Sequence, residues 1–119
     1  MVNVVLLLIN GHIKDVNIPL DSKSNQKTFD KLLIDKKFND KLNKNIENLG
    51  KGKLKKINTW NIESNILNAY GFTSGDEENN HELPPSDNSD ICYGDILMVK
   101  TNSKKQIQTM SSEDYESIY

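Results

Sequence analysis

The sequence predicts a mixed α+β fold in a single domain spanning residues 1–119, with helices on one face of an antiparallel or mixed sheet. Three observations carry this. An apolar run over residues 2–9 is answered, across Asn10-Gly11, by an alternating stretch. Helical spacing follows over residues 29–49, and strand patterns return from Leu54 onward. At 119 residues the chain is long enough for one core and too short for two.

Residues 2–9 are rich in Val, Leu and Ile, as expected of a strand buried on both faces. Asn10-Gly11 is the strongest short-range hairpin signal, since both residue types tolerate positive φ. The next stretch, HIKDVNIPL, alternates through Ile13, Val16, Ile18 and Leu20, with one slip near Lys14-Asp15 that predicts a bulge. Pro19 marks a strand end or an edge.

Ser22 or Ser24 is placed to cap a helix carrying Phe29, Leu32 and Leu33 at i, i+3, i+4. A second helical pattern runs Phe38, Leu42, Ile46, Leu49 and meets Gly50, a good residue just past a helix end. The spacing leaves open whether this is two helices or one bent helix. A turn then leads to a strand through Leu54, Ile57 and Trp60, and another turn to NILNAYGF. Residues 73–90 hold six acidic side chains and two prolines with little apolar content, which predicts a long surface loop. ICYGDILMVK is a further strand interrupted at Gly94-Asp95 by a turn or bulge. KKQIQTM is a short last strand, and Ser111 or Ser112 caps a helix at SSEDYESIY, with acidic residues in its first turn. The β-β-α-β opening resembles a β-grasp, or ubiquitin-like, arrangement. Because DYESIY carries no terminal Gly-Gly, conjugation as a modifier is not expected.

Composition narrows the function classes. The net charge is −2, and all 15 basic residues are lysine. Without arginine, the bidentate recognition of phosphate and guanine is missing, which disfavours nucleic acid as a partner. The single cysteine permits no internal disulfide and suits a reducing compartment. The first residues, MVNVVLLLINGH, lack a basic leader and form too short an apolar run to span a bilayer. No membrane partner is expected. The surplus of Asn, Lys and Ile matches A/T-rich codons.

Reactive side chains gather between Asn79 and Lys100, but their pattern is weak. His81 with Asp76, Glu77, Glu78 and Glu82 has metal-ligand chemistry, yet all lie on one acidic stretch without a second histidine at helical spacing. Cys92 alternates with Ile91 and Tyr93 at a strand start, where a small buried thiol is the default. His12 reads as a turn residue and Asp87 and Asp90 as turn formers, while Asp95 follows Gly94 in a turn or bulge. Trp60, Tyr70, Phe72 and Tyr93 read as core aromatics rather than a base-stacking surface. No catalytic residue, cofactor or metal is expected. In HELPPSD, Pro84 and Pro85 hold the chain extended, with Leu83 as an apolar anchor. This stiffened segment suits contact with a partner or the shaping of a loop. The residues singled out for that role are His81, Glu82, Leu83, Pro84, Pro85, Tyr93, Gly94 and Asp95.

Three motifs in order, W-(x)9-Y-G-F-(x)2-G from Trp60 to Gly75, E-N-N-H-E-L-P-P, and Y-G-D-I-L-M-V-K, resemble an uncharacterised small domain family of nucleocytoplasmic large DNA viruses, including giant viruses of amoebae. The likeness covers about residues 60–119. Phe72 stands where that family has tryptophan, and Ser86 where it has a third proline. The resemblance implies no activity and no catalytic residues. It implies a non-enzymatic interaction or structural protein of the virion or of the viral factory in the host cytoplasm, with protein partners. A nucleic-acid accessory role through lysines such as Lys51, Lys53, Lys55 and Lys56 is the alternative. An exposed strand edge leaves self-association open.

Overall fold

The computed structural model describes residues 2–18, 29–62, 64–79 and 92–118. In chain order the elements are β1 (Val2–Leu7), β2 (Ile13–Ile18), α1 (Phe29–Ile34), α2 (Lys36–Asn45), β3 (Lys55–Ile62), β4 (Asn65–Phe72), β5 (Glu78–Asn79), β6 (Cys92–Thr101), β7 (Ile107–Gln108) and α3 (Ser112–Ile118). The strands form one sheet in the order β2-β1-β6-β4-β3, with β5 and β7 also paired to β6. Among the described residues every strand pairing is antiparallel. The α+β expectation is met, and the alternative of a mixed sheet gives way to an antiparallel one.

The long apolar runs take the middle of the sheet because both of its faces are covered. On one face, Val2, Val4 and Leu6 of β1 and Leu97 and Val99 of β6 pack against Phe29, Leu32, Phe38 and Leu42 of the helices. On the other, Val5, Leu7, Ile96 and Met98 pack with Leu67, Ala69, Met110 and Tyr115. Each large side chain buried this way contributes roughly 1.5–3 kcal/mol of transfer free energy.

In the first hairpin the Leu8 N–H donates to His12 O (2.9 Å) and the Gly11 N–H to Leu8 O (3.0 Å), with Gly11 at φ +93°. The register then runs unbroken from Leu7↔Ile13 to Val2↔Ile18, so the bulge expected at Lys14-Asp15 is absent. The slip in alternation is a change of face instead. Val16 and Ile18 join the helix-side cluster, and Ile13 packs against the opposite one. Pro19, Leu20, Ser22 and Ser24 lie outside the described residues.

Two helices, not one, follow. Asp35, in extended backbone, separates them and caps the second, its Oδ1 accepting from the Lys37 and Phe38 N–H groups (2.9 and 3.2 Å). The second helix was expected to reach Leu49 and stop at Gly50. It ends at Asn45, with Ile46 already extended at ψ 125° and Leu49 exposed. The backbone of Asn48 is engaged by Asp95, and Gly50 packs on Phe72, so neither can continue a helix.

The stretch 73–90 is not loop throughout, since Glu78 and Asn79 pair with Tyr93 and Cys92. Near the C-terminal end, Ser111 and Asp114 cap α3 reciprocally: Ser111 Oγ accepts from the Asp114 N–H (3.1 Å) and Asp114 Oδ2 from the Ser111 N–H (3.2 Å). Asp15 of β2 also holds this helix, accepting from Ser112 N–H (2.7 Å) and Oγ (3.0 Å) and from Asn3 Nδ2 (2.9 Å). Those bonds, that from Asn3 foremost, hold the Asp15 carboxyl below its ordinary value despite the opposing effect of burial.

Candidate functional site

Of the sequence-predicted residues, Tyr93, Gly94 and Asp95 fall within the description, whereas His81, Glu82, Leu83, Pro84 and Pro85 lie outside it. The three described ones sit where β6 begins, beside the end of β1 and the segment after α2. Two strand registers meet there with a break: Tyr70 pairs with Leu97 but Phe72 with Tyr93, so β6 carries extra residues opposite Gly71. The expected bulge is present.

Gly94 makes the bulge possible. Its φ is +70°, and a Cβ there would lie 2.5 Å from Asn48 O and 2.8 Å from Gly50 N. No other residue type fits without moving backbone. Its N–H donates to Glu77 O (2.9 Å), and its carbonyl accepts from Asn79 Nδ2 (2.9 Å).

The bulge turns Asp95 inward. The sequence places this residue after Gly94 in a turn or bulge and gives no sign of its burial; it is 0% exposed. Its N–H donates to Asn48 O (2.8 Å). Its Oδ1 accepts from the Ile9 N–H (3.1 Å) and Asn48 Nδ2 (3.1 Å), and its Oδ2 from the Asn48 N–H (2.8 Å). Both oxygens thus receive fixed N–H donors, the arrangement that makes burial of a carboxylate tolerable. Asn79, also buried, donates to Leu7 O (2.9 Å) as well as to Gly94 O. The end of β1, the segment after α2, β5 and β6 are tied into one polar knot. Asn48 and Asn79 were missed by sequence reading, which took them as helix and loop. The one available signal was Asn79 within the E-N-N-H-E-L-P-P motif.

Chemically this arrangement holds rather than reacts. Asp95 has no solvent-facing oxygen, and a role as base would require breaking the bonds that position it. Cys92 is buried in the second cluster. His12 is exposed at the hairpin turn, where its N–H donates to Asn10 Oδ1 (3.0 Å). Tyr70 and Phe72 belong to the core, while Trp60 packs half-buried at its margin. Asp76, Glu77 and Glu78 are exposed, and Asp87 and Asp90 lie outside the description. Among the described residues, no group of three His, Cys, Asp or Glu side chains converges as a metal site would require, and no helix is long and apolar enough to cross a membrane.

A second polar cluster faces α1. Tyr70 Oη donates to Asp30 Oδ1 (3.0 Å), and Lys56 Nζ reaches Asp30 Oδ2 (3.0 Å) while lying 5.8 Å from the Tyr70 ring centre. Burial, reinforced by the Asp30 charge, raises the Tyr70 hydroxyl well above its ordinary value.

These features define an α+β scaffold in which Asn79 and Cys92, the described residues on either side of 80–91, pair beside the Asp95 knot. The chain matches no protein-family model, no curated protein and no solved structure. Of the residues in the three motifs, Phe72, Gly75, Asn79, Tyr93, Gly94 and Asp95 adjoin the same corner.

Proposed function

We propose that this chain is a non-enzymatic interaction or structural protein of a large DNA virus, acting through protein–protein contacts in the virion or the cytoplasmic replication factory. The observation that carries the interaction reading is the base of residues 80–91. Asn79↔Cys92 and Glu78↔Tyr93 pair at its two ends, directly against the Asp95 knot. Contact residues on connecting segments work best when a rigid scaffold fixes both ends. His81, Glu82, Leu83, Pro84 and Pro85 are the proposed contact residues. The viral assignment is supported by the motif likeness and the A/T-rich residue usage. A ubiquitin-like reading of the fold is supported by the hairpin-then-helix opening and by β6 lying between β1 and β4, while the antiparallel sense of β1 against β6 weighs against it.

The test is a mass-spectrometric inventory of purified particles and of complexes captured from infected cells. A variant with residues 80–91 replaced by a Gly-Ser segment of equal length should stay folded and lose the partner. Absence from particles together with no captured partner overturns the proposal. The alternative, a nucleic-acid accessory role, is favoured by the concentration of nine of the 15 lysines within residues 31–56. A gel shift that weakens steeply with salt would support it, and no shift at low salt would remove it.

A further inference from the structure

We propose that the groove between α1 and the outer edge of β3 receives an extended acidic segment of a protein partner, added to the sheet as a strand and anchored by an aliphatic side chain. This rests on the reading of the chain as a protein-binding module and names a second surface for it. Two independent features converge there. The first is an edge. Among the described residues β3 is the terminal strand, paired with β4 alone, and its register is regular from Asn58 to Ile62. A terminal strand carries a row of backbone N–H and C=O groups able to pair with an incoming chain.

The second is a groove of about 480 Å³ at the start of that strand, bordered by Lys53–Lys56 ahead of the bulge that precedes Asn58. Leu33 and Leu54 supply apolar lining, Ile34 stands at its lip 84% exposed, and Lys36, Lys53 and Lys55 surround it. The acidic residue lining it, Asp30, is already held by Lys56. An isoleucine this exposed beside an apolar floor offers an aliphatic side chain a place to bury, and the three lysines favour carboxylates on the same segment. The same lysines argue against the β3 edge of a second copy as occupant, because that strand, KKINTWNI, carries two lysines and no carboxylate to offer them.

The probe is a short fluorescein-labelled peptide alternating Glu and Val with a central Leu, titrated by anisotropy against the full chain. Comparators are its Gln-for-Glu version, a version N-methylated on alternate backbone amides, and an oligothymidylate. Binding should weaken about tenfold on exchanging Glu for Gln, and by a similar factor in the K53E/K55E variant. It should vanish on N-methylation, and the Ile34→Ser variant should weaken it as well. The Asn61 amide signal should shift and gain exchange protection, and that of Thr59, whose N–H already donates to Asn58 Oδ1 (2.8 Å), should shift as its acceptor changes. Equal binding of the N-methylated peptide or of the Gln peptide overturns the proposal. So does oligothymidylate binding with the same lysine dependence and no effect of Ile34→Ser, or a concentration-dependent dimer abolished by K53E/K55E. The N-methylated arm needs no protein variant, so it remains decisive if a substitution impairs folding. Partner capture that persists in K53E/K55E but is lost on replacing residues 80–91 overturns this groove while leaving the module reading intact.

Discussion

Asp95 and Asp30 gather hydrogen-bond donors in opposite ways. Asp95 is wholly buried, and its donors are two backbone N–H groups and the Asn48 amide. Asp30 is half-exposed, and its donors are the flexible Lys56 ammonium and the Tyr70 hydroxyl. Water can replace what Asp30 loses; nothing can replace what Asp95 loses. The first aspartate therefore determines the course of the chain, whereas the second fastens a helix to a sheet that is already built.

That contrast is open to measurement. Replacing Asp95 by Ala should destabilise the chain by about 4 kcal/mol, because three part-buried donors lose a wholly buried acceptor together. An Asn48→Ala/Asp95→Ala double variant should lose far less than the sum of the singles, read from urea midpoints. Additive losses would show the knot is not a unit. Gly94→Ala should follow at about 3 kcal/mol, from the left-handed backbone and the clash with Asn48 O.

The other cluster should respond mildly. Tyr70→Phe should cost about 1 kcal/mol at neutral pH. Since the fold holds Tyr70 protonated above its ordinary value of 10.0, the unfolded chain ionises first and stability falls as pH rises past that point. The Phe variant should lose this slope, which alkaline unfolding curves would reveal. Smallest of all, Asp15 has a lowered folded value, so its contribution is present above the ordinary 3.8 and disappears as pH falls through the folded one. Amide protection in α3 should fade in that acid range, and Asp15→Asn should remove the dependence.

The sequence was most readable where burial is two-sided or alternation is clean. NILNAYGF is β4 from its first residue to its last, and the hairpin of β1 and β2 lies where Asn10-Gly11 signals it. It misled where tertiary bonds outcompete local pattern. Ile46 and Leu49 continue the helical spacing, but Asn48 answers to Asp95 rather than to its helical neighbours, and the helix ends early. Ile13 looked out of step because one-sided alternation was assumed for a strand with cover on both faces. In the candidate site the bulge at Gly94 was legible from Gly-Asp inside an apolar run. The inward turn of Asp95 was not, because its partners are backbone groups contributed by distant segments.

The central position of β6 has a consequence for synthesis. β1 pairs with β6 through Val5↔Met98 and Leu7↔Ile96, and Asn3 accepts the Met110 N–H on its carbonyl. A nascent chain emerging from the ribosome can form the first hairpin and the helices early. The edge of β1 that meets β6 must then wait until the residues through Met110 have emerged. Such sequence-distant pairing slows folding and leaves the unfinished chain prone to aggregation. During that interval, this amino-terminal strand is the segment a holding chaperone would be expected to shield.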